Sequence, residues 1–287
     1  MVIKMLLRVL AKLRLLQYLN LSVLYRKEGR KVWIPILNSH GLGNLELSEL
    51  WMCEIFEKLT RLKTGNFVDI GVNLGQTLVK LKLTNDRIHY IGFDPNPVCI
   101  YYTQELIRRN RFDNAVLVPV GISKQTELIH LNFYAESGSD TSASIIKGFR
   151  PHKKVVRHEF VACFNYEWLK SEVLVGQTAI VKIDVEGAEL DVLTGLREFL
   201  ERRRPFILVE ILPVYTPENR DRMQRQDDLV RLVNDLKYKI FRVRHSGGIF
   251  LNIQPIQVLG MNADGESSDY FLCPSEDVSR LTLLQSV

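Results

Sequence analysis

The sequence predicts an α/β protein built on a doubly wound sheet of seven strands. Three observations carry that prediction. Short apolar runs rich in β-branched residues recur from residue 65 onward, each is followed by a turn signal and then a helical stretch, and the first two runs end in a glycine turn and an acid. In order, the runs are Phe67–Ile70, Ile88–Phe93, Ala115–Val120, Ala179–Ile183, Phe206–Ile211, Lys239–Val243 and Tyr270–Cys273. Helices are predicted between them at Gln76–Leu83, Val98–Asn110, Ala188–Arg202 and Asp227–Leu236. The last of these spaces Leu229, Val230, Leu232, Val233 and Leu236 on one helical face.

The alternation breaks between Glu127 and Phe164. There Leu128–Tyr134 and Val155–Phe164 read as an inserted β-hairpin around the Gly/Ser/Thr-rich stretch 136–144, a loop suited to touching a ligand. Before the core, Trp33–Lys63 holds a turn at Ser39–Gly43 and a helical run at Leu47–Leu62 that should cover the sheet. The chain therefore divides into a basic amphipathic helical extension at 1–31 and a domain at 32–287. Within that domain, a cover segment occupies 32–64 and the catalytic core 65–274. No internal repeat or long linker separates a second domain.

With 46% hydrophobic and 25% charged residues the chain can bury a full core, which excludes a disordered protein. Its net charge of +5 is unevenly placed: residues 1–31 carry eight Lys/Arg against one acid, a net +7, so the rest is net −2. A body that close to neutral offers no general surface for a phosphate backbone, which argues against nucleic acid as partner. The opening helix places Lys4, Arg8 and Lys12 on one face, too charged to span a bilayer and without a secretory cleavage site. It reads either as a peripheral membrane contact or as a helix packed on the body with a solvated basic face. Cys53, Cys99, Cys163 and Cys273 form no metal-binding spacing, which fits a reducing, cytoplasmic compartment.

The sharpest motif is Phe67-Val-Asp-Ile-Gly-Val-Asn-Leu-Gly75, a strand ending at Asp69 that turns through Gly71, Asn73 and Gly75 into a helix. Free N–H groups at that helix start suit a carboxylate, and Asp69 can accept from an amino group; together they suit a methionine-like zwitterion. The second strand ends in Asp94-Pro95-Asn96, placing an acid about twenty residues past the glycine turn, where ribose hydroxyls need an acceptor. Asn73 and Gln76 stand where a dinucleotide fingerprint requires glycine, so S-adenosylmethionine is favoured over a nicotinamide cofactor. Gly121 and Ile122, at the third strand's tip, would border the adenine, or simply end a strand.

The fourth strand ends Lys182-Ile-Asp184-Val-Glu186-Gly-Ala-Glu189, and the next ends at Glu210. Asp184, Glu186 and Glu210 would then share one rim, as proton acceptors or as oxygen ligands for Mg²⁺ or a similar hard cation. Glu189 reads better as an acid capping the following helix. His245 is placed to act as base at neutral pH, or else to sit as a polar loop residue; His40 has the same two readings. Tyr215 either contacts substrate or packs under its loop.

At these residues the chain resembles the FkbM family of methyltransferases, whose Asp-Ile-Gly-x-Asn-x-Gly turn stands at Asp69–Gly75 and whose Lys-Ile-Asp-Val-Glu-Gly-x-Glu strand end stands at Lys182–Glu189. The resemblance runs from about Trp33, through Asn44 and Trp51-Met52, to Tyr270–Cys273. It implies a class I methyltransferase Rossmann-like fold, adenosylmethionine as donor, and O-methylation of a hydroxyl on a carbohydrate, glycan or polyketide-like small molecule. Asp94 stands where the family commonly carries glutamate, which preserves the carboxylate. The alternative is a non-catalytic adenosylmethionine-binding scaffold recruited to a membrane-associated glycan-assembly complex by the basic helix.

Overall fold

Strands buried on both faces need apolar side chains at every position, and the central runs of this chain supply them. In a computed structural model the chain is described over residues 2–13, 15–136, 140–150, 152–170, 173–174, 176–261 and 268–285. Helix α1 (Val2–Lys12) leads to a hairpin of β1 (Asn20–Lys27) and β2 (Arg30–Leu37), and α2 (Trp51–Leu62) follows. The core alternates β3 (Asn66–Ile70), α3 (Gln76–Thr84), β4 (Tyr90–Phe93), α4 (Pro97–Asn110) and β5 (Ala115–Val118). Next come β6 (Gly121–Ile122), β7 (Glu127–Phe133), β8 (Arg157–Phe164), the short α5 (Tyr166–Leu169) and β9 (Thr178–Ile183). The chain closes with α6 (Glu189–Gly195), α7 (Arg197–Arg203), β10 (Phe206–Glu210), α8 (Arg220–Asp235), β11 (Tyr238–Ser246), β12 (Ile249–Ile256), β13 (Asp269–Pro274) and α9 (Thr282–Gln285).

The main sheet runs β12-β11-β13-β10-β9-β3-β4-β5, so it has eight strands where seven were expected. The addition is β12, which pairs antiparallel with β11 across the Gly247-Gly248 turn. It carries Pro255 and several polar residues, tolerated because it lies at the sheet edge, and so it gives no continuous apolar run. From β10 to β5 the sheet is parallel; β13 runs antiparallel to both β10 and β11. One face is covered by α2, α3 and β2, the other by α6, α7 and α8.

The expected hairpin forms, β7 pairing antiparallel with β8, and a third strand joins it because Gly121–Ile122 leaves the main sheet after Pro119 and pairs parallel with β8. Proline has no N–H to continue the β5 ladder. The N-terminal extension is helical only in α1; Glu28 (φ 50°) and Gly29 (φ 81°) make a tight turn between β1 and β2, and the division expected after Lys31 falls inside β2. In α1, Leu7 is buried and Leu10 and Ala11 pack on the body, whereas Leu6, Val9 and Leu13 face solvent. Of the expected basic face, Arg8 pairs with Glu46, while the Lys4 side chain lies outside the described residues. The stretch expected as one helix from Ala188 is two, α6 and α7, joined at Leu196 behind the weak helix former Gly195. Helix α8 begins at Arg220 rather than Asp227, its early turns too polar to show a period.

Candidate active site

The parallel strands are laid down outward from β3 to β4 to β5, after which the chain returns to place β9 on the other side of β3. In open α/β sheets a cleft forms at such a reversal, outside the strands' carboxyl ends. Here β3 passes into Gly71, whose φ is +93° and whose missing Cβ would lie 1.8 Å from the Asp184 carbonyl oxygen at the end of β9. Only glycine lets the two strand ends approach so closely. A cleft opens there between the two strand ends.

Seven residues expected to bind a cofactor line it: Gly71, Asn73, Asp94, Pro95, Asn96, Gly121 and Ile122. Asp94 is buried at the end of β4, where its Oδ2 accepts the Asn73 N–H at 2.7 Å and its Oδ1 accepts the Asn96 N–H at 2.8 Å. Burial pushes its pKa up to about 6 against the pull of those bonds. Each oxygen keeps a lone pair, so the carboxylate is aimed and still able to accept two hydroxyls. Asn44, in the cover segment, donates to the Leu74 carbonyl at 2.6 Å and so braces the glycine turn from behind.

Asp69 and Gly75 do not reach the cleft, contrary to expectation. Asp69 is fully buried on the face under α2 and α3, where the Tyr90 hydroxyl donates to it at 2.5 Å and burial raises its pKa to about 7. Its place on β3 puts its side chain on the covered face, so it cannot accept from a ligand in the cleft. Gly75 serves packing: a Cβ there would lie 2.8 Å from Leu106 on α4.

The opposite wall is the β9 end. Lys182 donates to Asp184 at 2.8 Å; burial alone would raise the Asp184 pKa, but Lys182 and a hydrogen bond from Glu210 hold it below the usual carboxylate range. Glu210, on neighbouring β10, is pushed upward first by burial and then by Asp184, and it donates a hydrogen bond to Asp184. Glu186, by contrast, faces the cleft in a left-handed conformation (φ 51°), accepts from Arg150 at 2.5 Å, and is raised to about 7 chiefly by burial. Glu189 accepts the Gly187 N–H at 2.8 Å and caps the turn before α6.

The metal set expected from Asp184, Glu186 and Glu210 does not form. Among the described residues no three His, Cys, Asp or Glu side chains converge to hold an ion. Lys182 already pairs with Asp184 and Arg150 with Glu186, so the trio as arranged does not fit a divalent cation. His245 lies within β11, stacked on Trp51 with ring centroids 4.6 Å apart, and its Nε2 is 3.3 Å from Asp269. It stands away from the cleft, as does half-buried His40 in its turn beside Leu37. Together His245, Asp269, Glu210, Lys182, Asp69 and Tyr90 make a polar row across six adjacent strands, roofed by Trp51 and Met52.

The insertion expected to touch a ligand supplies the cleft's outer wall. Asp140, Thr141, Ala143 and Ile145 of the insertion line it, with Asp140 accepting the N–H groups of Tyr134, Ala135 and Ser142. The Gly/Ser/Thr-rich composition marked that loop, although Ser137–Ser139 lie outside the described residues. The burial and left-handed backbone of Glu186 have no sequence signal.

An open sheet wound in this order, with a glycine turn after its first core strand and an anchored acid after the next, has the class I methyltransferase fold. The chain belongs to the FkbM methyltransferase family: the Methyltransferase FkbM domain matches residues 69–240. No curated protein matches it. Among solved structures it is similar to methyltransferase FkbM from Methylobacillus flagellatus (15% identity, TM-score 0.45), covering 72% of this chain and 43% of that one. The chain thus spans less than half the length of that protein. It is also similar to precorrin-6y C5,15-methyltransferase from Geobacter metallireducens (10% identity, TM-score 0.38, covering 77% and 84%). Aeropyrum pernix fibrillarin, solved with natively bound S-adenosyl-L-methionine, matches at 12% identity and TM-score 0.43, covering 88% of this chain and 81% of that one.

Proposed function

We propose that this chain transfers a methyl group from S-adenosylmethionine to a hydroxyl oxygen of a carbohydrate or polyketide-like small molecule. The observation that carries the reading is the cleft itself, with Asp94 fixed by two backbone N–H groups on one wall and Asp184 and Glu186 on the other. Asp94 would take the ribose hydroxyls, Gly71 and Asn73 would let the amino-acid end lie against backbone, and Gly121 and Ile122 would flank the adenine. When bound, adenosylmethionine supplies a methyl carbon on a sulfonium that departs as a neutral thioether. The protein's part is alignment and proton removal. Glu186, with a pKa of about 7, would take the proton of the acceptor hydroxyl as that oxygen is methylated. Asp184, held ionised by Lys182, accepts a hydrogen bond that orients the acceptor.

Calorimetric titration with adenosylmethionine tests the first step. Asp94→Ala should weaken binding by about tenfold or more, for loss of hydrogen bonds to a buried carboxylate. Unchanged affinity would remove Asp94 from the cofactor site.

We also propose that α1 rests on an anionic membrane surface, since it exposes Leu6, Val9 and Leu13 beside Arg8 and Lys12. Among the described residues no helix is long and apolar enough to cross a membrane. Sedimentation with phosphatidylserine vesicles should capture the full chain and lose it on Leu6→Asp/Val9→Asp; equal capture of both proteins would refute the contact.

A further inference from the structure

Behind the Glu186-Gly187 turn lies a second and larger cleft. Its walls alternate with those of the first. Ile145, Glu186 and Ala188 face the cofactor cleft, while Ile146, Gly187 and Glu189 face this one, so a single thickness of chain separates the two. The partition is braced by Arg150 pairing with Glu186 and by Ser144 Oγ donating to the Glu186 carbonyl at 2.7 Å.

The second cleft carries the arginines Arg222 and Arg225 beside the buried Glu189. Arg222, in the first turns of α8, is half-buried, and its guanidinium donates to two backbone carbonyls, Pro213 and Phe149, each at 3.0 Å. No carboxylate among the described residues forms an ion pair with it, and burial pulls its pKa below the usual arginine value. Arg225 differs in that Asp191 neutralises it. A guanidinium has five N–H donors, so Arg222 keeps donors free for a ligand, in the planar arrangement that suits an oxyanion. It also lies 4.5 Å from the Phe149 ring centroid, which fixes its plane. Lys147 adds an exposed cation on the same wall; of the acids that line the cleft, Glu218 and Asp221 sit at the exposed mouth, whereas buried Glu189 acts on Arg222 through space without forming an ion pair with it.

We infer that this second cleft is the acceptor subsite and that it takes a small hydroxylated molecule bearing an anionic group, phosphate or carboxylate, which Arg222 grips. This rests on the methyl-transfer reading above, because the subsite matters for turnover only if the first cleft holds the donor. An acceptor anchored at Arg222 reaches over the Gly187 turn and presents its hydroxyl beside Glu186, on the wall common to both clefts. The anion then neutralises a cation that the fold leaves unpaired.

The test is calorimetry on the full chain, first with S-adenosylhomocysteine and then, with that ligand saturating, with glucose 6-phosphate, glucuronate and uncharged glucose. The expected result is saturable binding of at least one anionic sugar, with glucose bound about tenfold more weakly or not at all. The better of the two anionic probes identifies phosphate or carboxylate as the group held. Arg222→Gln should abolish the preference. Lys147→Glu, at an exposed position with no packing role, should weaken the anionic sugars about threefold and leave glucose unchanged. Homocysteine-analogue affinity should be the same in all three proteins. Adenosylhomocysteine binding with no saturable binding of either anionic sugar up to about 10 mM overturns the anionic subsite alone. So does equal binding of glucose and its phosphate. Failure of adenosylhomocysteine to bind overturns the cofactor reading instead.

Discussion

Replacing Lys182 with methionine should destabilise the protein in a way that depends on pH. The Lys182 side chain is 6% exposed and its ammonium sits 2.8 Å from Asp184, with Asp69 beside it on the neighbouring strand. Asp69 and Glu210 have pKa values of about 7 and 9, so Asp184 carries the settled negative charge of the group at neutral pH. Stranding a buried carboxylate costs about 3–5 kcal/mol. Because 34% of the Asp184 side chain is open to the cleft, water screens part of that charge, and about 3 kcal/mol is the expected loss near neutral pH. The sign follows from linkage. In the native protein the Asp184 pKa lies below its unfolded value of 3.8, so the pair's contribution is full above that value and lost as pH falls through the folded pKa. Without Lys182, burial raises the Asp184 pKa, so the variant is penalised most at high pH and recovers as the carboxyl takes up a proton. Scanning calorimetry should show Tm lowered by about 6–12 °C near pH 8 and by clearly less near pH 5. A deficit that stays constant between those two conditions would refute the assignment of the charge to Asp184.

Three further outcomes follow from the same geometry. Glu186→Gln should lower turnover by about 10²–10⁴-fold while sparing adenosylmethionine affinity, and the acid limb of the pH–rate profile, near the Glu186 pKa of about 7, should disappear; a retained limb assigns it elsewhere. Gly71→Ala places a methyl group 1.8 Å from the Asp184 carbonyl oxygen and should cost about 2 kcal/mol or more in denaturant unfolding, with adenosylmethionine binding lost; wild-type stability would mean the strand ends are not in contact. Because Lys182 and Arg150 already engage the carboxylates of the rim, EDTA should leave turnover unchanged, and a loss restored by Mg²⁺ would reopen the metal assignment.

The strands were legible because a strand buried on both faces has little freedom in composition. Phe206-Ile-Leu-Val and Ala179-Ile-Val carry apolar residues without interruption, and each is bounded by a charged residue or a turn. The edge elements were not legible for the converse reason: β1 and β12 bury only part of one face, so Arg26, Asn252, Gln254 and Pro255 are tolerated there. That Gly71, Asn73 and Asp94 meet at one cleft was legible from turn chemistry, since their placement follows from local backbone constraints. The catalytic assignments fared differently. Whether Glu210 or Glu186 holds a proton depends on which neighbouring strand supplies Asp184, Lys182 or Arg150, and those are contacts between residues distant in sequence. Asp69 likewise ends a strand just as Asp94 does, but the two differ in which side of the sheet they meet.

The two walls of the cleft differ in how they are made, and this bears on how such a protein changes over time. Gly71, Asp94 and Asp184 stand at the ends of central strands locked by ladders on both sides, so drift there is punished by loss of the whole fold. Asp140–Ile145 and the first turns of α8 hang from an inserted sheet and a surface helix, which tolerate exchange. Substitutions on that outer wall therefore change the shape of the cleft without touching the ladders that hold its inner wall.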